Sequence, residues 1–235
     1  MSELANSLDG KINLKNSKVK PFEGFIFLCG GERKPADTRD DPPLKSVRDA
    51  IHRELLQHTD LSSRIRIAED YQDWSKDGVY NDLVEFEQHL ASLSSLIVIV
   101  LESPGAIAEL GIFSAIESLR PKLLVFVDKK YYLEDSFIRL GPIDYLEKSF
   151  QNFAECHEWL KSSSEGYKFD PASAQIIRPE LLDAVKERLN KERKQDVTYS
   201  QTEWLHTALL ICDLINLFLA LTIRELHDIL QSLGL

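Results

Sequence analysis

Two hydrophobic rhythms alternate along the first 130 residues. Gly24-Phe-Ile-Phe-Leu-Cys29 and Leu96-Ile-Val-Ile-Val-Leu101 are short, continuous apolar runs, closed by Gly30-Gly31 and shortly before Ser103-Pro104-Gly105. Runs of this length predict strands buried on both faces of a parallel sheet. Arg64-Ile-Arg-Ile-Ala68 and Lys122-Leu-Leu-Val-Phe-Val127 predict two more strands. Between them, Leu44, Val47, Ile51 and Leu55, then Val79, Leu83, Phe86, Leu90 and Leu93, recur at helical spacing, and a third helix is expected from about Ala106 to Leu119. A Pro- and Asp-rich loop, Lys34 to Pro43, and an acidic loop, Glu69 to Asp77, complete the alternation.

Strands alternating with helices of ten to fifteen residues imply βαβ units, and so an α/β, Rossmann-like parallel sheet flanked by helices. Four segments are expected. Residues 1–20 are polar and aperiodic and read as a flexible arm, and residues 21–160 form the sheet domain. That domain includes an irregular loop at Phe137 to Pro142 and an amphipathic helix around Phe153 to Leu160. Residues 161–202 read as a Ser- and Gly-rich linker, Lys161 to Pro171, followed by a charged helix from Pro179 to Lys194. Residues 203–235 are helical, with Thr222 and Glu225 spaced as a capping box.

Composition narrows the function. The 235 residues are 43% hydrophobic and 28% charged, as in an ordinary globular protein, and the net charge of -10 argues against a surface-wide affinity for nucleic acid. Cys29, Cys156 and Cys212 are an odd set without paired spacing, which fits a reducing cytoplasm, and the N-terminus has no apolar core of the kind a secretory signal needs. The apolar stretch Trp204 to Leu221 carries Asp213 at its middle, which reads as a buried helix and not a membrane span. His52, His58 and His89 lack metal-like spacing, so no metal is expected.

Ligands of open parallel sheets sit beyond the carboxyl ends of the strands. Cys29, Gly30 and Gly31 leave the first strand there, and Glu69 and Asp70 leave the second. The third ends in Glu102-Ser-Pro-Gly-Ala-Ile-Ala-Glu109-Leu-Gly. Ser103, Pro104 and Gly105 make a tight turn whose helix N-terminus suits a phosphate. Glu109 is expected within roughly the first turn, where the helix dipole favours an ionised carboxylate able to attack or stabilise an anomeric carbon. Acidic residues in first turns are also common as plain dipole partners, and acidic loops are commonly just solvated.

Cys-Gly-Gly after the first strand, Glu-Ser-Pro-Gly-Ala-Ile-Ala-Glu-Leu-Gly after the third, and Ser136-Phe-Ile-Arg-Leu-Gly-Pro142 together resemble the nucleoside deoxyribosyltransferase-like domain of retron effectors. The resemblance spans most of residues 24 to 146. It implies cleavage of N-glycosidic bonds of nucleotides, including the nicotinamide-ribose bond of NAD, as the toxic arm of an antiphage system. It further implies that a reverse transcriptase and its DNA-RNA product restrain that activity. Glu109 matches the nucleophile of the wider transferase family that the resemblance extends to. Deoxyribosyltransferases carry an Asp about six residues earlier, where this chain has Ser103, so Glu102 or Glu69 is expected to supply a second carboxylate.

Hydrolysis demands less of such a site than transfer. Nicotinamide leaves a pyridinium as a neutral base without taking a proton, which makes NAD an easier substrate than an ordinary nucleoside, and no cofactor is implied. Gly30, Gly31, Ser103 and Gly105 would line the nucleotide, with Arg139 pairing its phosphate. The C-terminal helices resemble the start of a winged helix-turn-helix, or else a hairpin that caps the sheet or mediates self-association. Two other functions stay open: a nucleotide-sensing module that binds without cleaving, and a nucleoside deoxyribosyltransferase.

Overall fold

The computed structural model describes residues 4, 8, 10–20, 23–33, 42–71, 80–191 and 196–235. In chain order these begin with strand β1 (Lys18–Val19) and strand β2 (Phe25–Cys29), then helices α1 (Val47–Leu56) and α2 (Thr59–Ser62). Strand β3 (Ile65–Arg66), helix α3 (Leu83–Ser92), strand β4 (Ser94–Val100), helix α4 (Pro104–Ala115) and strand β5 (Leu123–Asp128) follow. Helices α5 (Lys129–Tyr132) and α6 (Asp144–Phe150) precede strands β6 (Glu155–His157), β7 (Leu160–Ser163) and β8 (Gly166–Phe169). Helix α7 (Pro171–Lys191), strand β9 (Val197–Thr198) and helices α8 (Trp204–Phe218) and α9 (Ile223–Ser232) end the chain. The chain divides into two compact units, Gly24–Glu192 and a second made of Met1–Glu23 with Arg193–Leu235.

The larger unit holds a five-stranded parallel sheet in the order β3-β2-β4-β5-β6, confirming the α/β, Rossmann-like expectation. Successive side chains of a strand point to opposite faces, and both faces here are covered, which is why the strands read as unbroken apolar runs. Ile26, Leu28, Leu96, Val98 and Val100 pack against α1 and α7 through Val47, Ile51, Leu55, Leu181 and Val185. Phe27, Ile97, Ile99, Val125 and Val127 face α3 and α4 through Leu90, Ala91, Leu110 and Phe113. Each such fully buried side chain is worth about 1.5–3 kcal/mol. The chain turns from β2 outward to β3 and then back across to β4, so the strand order reverses between β2 and β4. A crevice opens at such a reversal, beyond the strand ends.

Several expectations shift. The helix expected at Phe153 to Leu160 is not there: the helix lies earlier, as α6, and Gln151 closes it in the left-handed region at φ 52°. Glu155–His157 instead pairs with β5 and completes the sheet. The expected linker Lys161 to Pro171 is a β-hairpin, β7 paired with β8, that turns through Gly166 at φ 107°. Its far end, Asp170, caps α7 by accepting the Ser173 N–H at 2.9 Å, so that helix begins eight residues before Pro179. Phe137 to Pro142, expected as irregular, includes a π-helical turn at Arg139–Ile143. Residues 34–41 of the Pro- and Asp-rich loop and residues 72–77 of the acidic loop lie outside the described residues.

In the smaller unit, the segment expected to be a flexible arm contains regular structure. Leu14–Asn16 forms a helical turn capped by Asn13, and β1 pairs antiparallel with β9. Leu8 joins Leu214 and Ile229 in a small core, with Ile12, Leu210, Leu226 and Leu230 around it. Helix α8 is amphipathic and not wholly buried: Leu214 is its one buried residue, while Ile215 and Leu217 are exposed. The capping box of α9 forms as expected, with Thr222 Oγ1 accepting the Glu225 N–H and Glu225 Oε2 accepting the Thr222 N–H at 2.9 Å. Among the described residues no single helix is long and apolar enough to cross a membrane, and no group of His, Cys, Asp and Glu is placed to hold a metal ion.

Candidate active site

The crevice is built by the ends of β2 and β4. Ser103 caps α4: its Oγ accepts the Ala106 N–H at 3.1 Å and donates to the Gly30 carbonyl at 2.9 Å, and Pro104 fills the first helical position. One hydroxyl thus ties the outlet of β2 to the start of α4. A cleft of about 490 Å3 opens beside this joint. Its walls are Gly30, Arg48 of α1, Ala68, Glu69 and Tyr71 of the turn after β3, Leu83 and Glu87 of α3, the cap residue Ser103, and Gly105, Ala106 and Glu109 of α4.

Gly30 is required by close approach. A Cβ there would lie 2.8 Å from Arg48 Cβ and 3.1 Å from Val100 Cβ. Gly30→Ala is expected to lower stability by about 1–3 kcal/mol, the usual cost of overpacking, measured as a shift in the urea midpoint at unchanged slope.

Glu109 reaches the cleft from the second turn of α4, not the first, because the turn residues Pro104 and Gly105 are themselves helical. The helix dipole therefore acts on the carboxyl less than its immediate surroundings do. Burial pushes its pKa up, and the nearby Glu69 adds to this, while the Cys29 thiol, Arg48 and a hydrogen bond from Glu87 pull it back. Cys29 is buried and meets Glu109 through its side chain, and burial together with the Glu109 charge pushes its thiol well up, keeping it protonated.

The other sequence candidates scatter. Glu69 lines the cleft but is exposed, and it binds Arg48 Nη1 at 2.8 Å. Asp70 bonds Arg33 outside the cleft. Glu102, expected as a second catalytic carboxylate, points to the other side of the β2–β4 joint. Its Oε1 accepts the N–H groups of Gly31 at 3.1 Å and Arg48 at 2.9 Å, and its Oε2 accepts that of Val47 at 2.9 Å. Glu102 holds the N-terminus of α1, and Gly31 lies with it in a separate pocket of about 280 Å3. Arg139, expected to pair a phosphate, is taken up by Asp144 and Glu147 and by the Tyr132 carbonyl, away from the cleft.

Two residues escaped the sequence reading. Arg48 is a buried cation in the cleft wall, and Glu87 is a second carboxyl hydrogen-bonded to Glu109. Each had a signal. Glu87 falls on the apolar stripe Leu83, Phe86 and Leu90, and Arg48 on the stripe Leu44, Ile51 and Leu55, where a charge has to be buried.

Burial first, and then the charge of Glu109, push the Glu87 pKa up to about 7. A carboxyl whose folded pKa is raised binds its proton more tightly in the native state. Its contribution to stability is full below the ordinary value of 4.5 and is lost as pH rises through about 7. Glu87→Gln cannot ionise, so it is expected to melt higher than the native protein at pH 8 and equally at pH 4, as calorimetry at the two pH values would show.

A family model described as "STM3845 retron effector protein" matches residues 44–235. A relative from Escherichia coli, named "Retron Ec86 putative ribosyltransferase/DNA-binding protein", is 35% identical over 124 residues, which are 52% of this chain and 37% of that protein. A second from the same organism, "Retron Ec73 putative ribosyltransferase/DNA-binding protein", is 25% identical over 239 aligned residues, 94% of this chain and 71% of that protein. The chain thus spans little more than a third of the first relative's length and under three quarters of the second's.

Proposed function

From the premise that the chain belongs to the STM3845 retron effector protein family, we propose that it is the toxic effector of a retron antiphage system and hydrolyses the N-glycosidic bond of NAD or a related nucleotide. The observation that carries this is Glu109, a carboxylate set in a nucleotide-sized cleft at the strand-order reversal of a parallel sheet. The names of the two relatives, which couple a ribosyltransferase with DNA binding, support ribosyl chemistry.

As the base departs, C1′ of the ribose takes on oxocarbenium character, and the Glu109 carboxylate either bonds to it or opposes its charge. Water then completes hydrolysis. At the start of α4 the Gly105 N–H has no intrahelical partner, and with Gly30 and the buried Arg48 it offers a phosphate a hydrogen bond and countercharge. Ser103 contributes through its backbone, because its hydroxyl is already bonded on both sides. NAD enters as substrate, and no cofactor forms part of the proposal. The protein acts in the cytoplasm, where a reverse transcriptase and its DNA-RNA product hold it in check.

The test is to incubate the purified protein with NAD, and separately with deoxynucleotides, and to follow free base by chromatography with and without the reverse transcriptase complex. Release of nicotinamide or of another base supports the reading. A nucleotide that binds and is returned unchanged under every condition would replace it with nucleotide sensing.

A further inference from the structure

Glycosidase chemistry at Glu109 leaves the second carboxyl of the cleft without a task. Glu87 of α3 and Glu109 of α4 line one cleft from neighbouring helices and are hydrogen-bonded to each other, with Glu87 as the donor. Two carboxyls in such contact share a proton because they do not both ionise. The groups that face them are Cys29 of β2, Arg48 of α1, and Glu69 and Tyr71 of the turn after β3. Arg48 is engaged by Glu69, and the two charges that act on Glu87 are those of Glu109 and Glu69, both negative.

We propose that Glu87 is the proton donor of this site, and that the cleft takes nucleotides whose purine or pyrimidine base must be protonated to leave. This rests on the glycosidase reading of Glu109. The C1′–N bond breaks with its electron pair on nitrogen, and the Glu87 proton moves to that nitrogen. Water oxygen bonds to C1′ and one of its protons returns to Glu87, so the products are free base and sugar phosphate, and the carboxyl is restored. A pyridinium keeps its electron pair without needing a proton, so Glu87 is idle in the departure of nicotinamide. A donor whose pKa stands at about 7 is about half protonated at pH 7, far more than a carboxyl at its ordinary value of 4.5.

The experiment compares wild type and Glu87→Gln on two probes, 2′-deoxyadenosine 5′-monophosphate and NAD. In the variant, adenine release is expected to fall on the order of 10²-fold further than nicotinamide release does. The wild-type adenine rate should also decline above pH about 7, and the variant should lose that limb. Should Glu87→Gln melt, Glu87→Asp, with its shorter reach, carries the same comparison. The proposal is overturned if wild type releases nicotinamide but no adenine, if the variant keeps its adenine rate, or if a folded variant loses both products equally. If wild type releases neither base, the glycosidase reading itself fails, and this inference falls with it.

Discussion

Glu109→Gln is expected to abolish base release, lowering kcat/KM on the order of 10³-fold, about 4 kcal/mol of transition-state stabilisation, with the fold intact. The substitution keeps the shape of the side chain and removes the charge that C1′ needs as the base leaves. Every neighbour that tunes the carboxyl remains: Cys29 beneath it, Glu87 beside it, and the Arg48–Glu69 pair across the cleft. Glu69→Gln serves as the contrast. Glu69 is exposed and already neutralised by Arg48, so its loss should change the rate by less than about tenfold. Free base quantified under single-turnover conditions, beside a melting curve for each variant, separates a chemical defect from a folding one. Equal losses in the two variants would sink the assignment of Glu109 and leave the cleft as a binding site.

The sheet was legible because its strands advertise themselves. β2, β4 and β5 are buried on both faces, and residues buried on both faces leave an unbroken apolar run. Edge strand β6 carried no such signal: Glu155–His157 is only partly covered, and its strand identity comes from backbone pairing with β5, a long-range partner that periodicity cannot register. The same applies to β1, whose partner β9 lies far along the chain. At the site, Glu109, Ser103 and Gly105 were readable from one local motif and Gly30 from another, each by its place after a strand. Glu102 was misread because sequence neighbours on opposite sides of a turn look alike on paper, and only the fold reveals that its carboxyl meets the N–H groups of α1. Glu87 and Arg48 come from helices that carry no motif. Their importance lies in what they face after folding.

The misreading of Glu102 has its own measurable consequence. Glu102→Ala should be the most destabilising of the changes considered, by about 3–5 kcal/mol, while leaving the chemistry of Glu109 untouched in molecules that remain folded. The carboxyl accepts three backbone N–H groups, two from the first turn of α1 and one from Gly31. Burial pushes its pKa up, and those three donors pull it back part of the way, so the side chain is held by geometry more than by charge. Truncation strips the side-chain acceptor from three backbone donors at once. Glu102→Gln retains one acceptor oxygen but turns an amide donor toward the remaining N–H, and should cost roughly 1–2 kcal/mol. Urea titrations of the three proteins would check the ranking. A Glu102→Ala protein as stable as wild type but catalytically dead would reverse the assignment and return Glu102 to the active site.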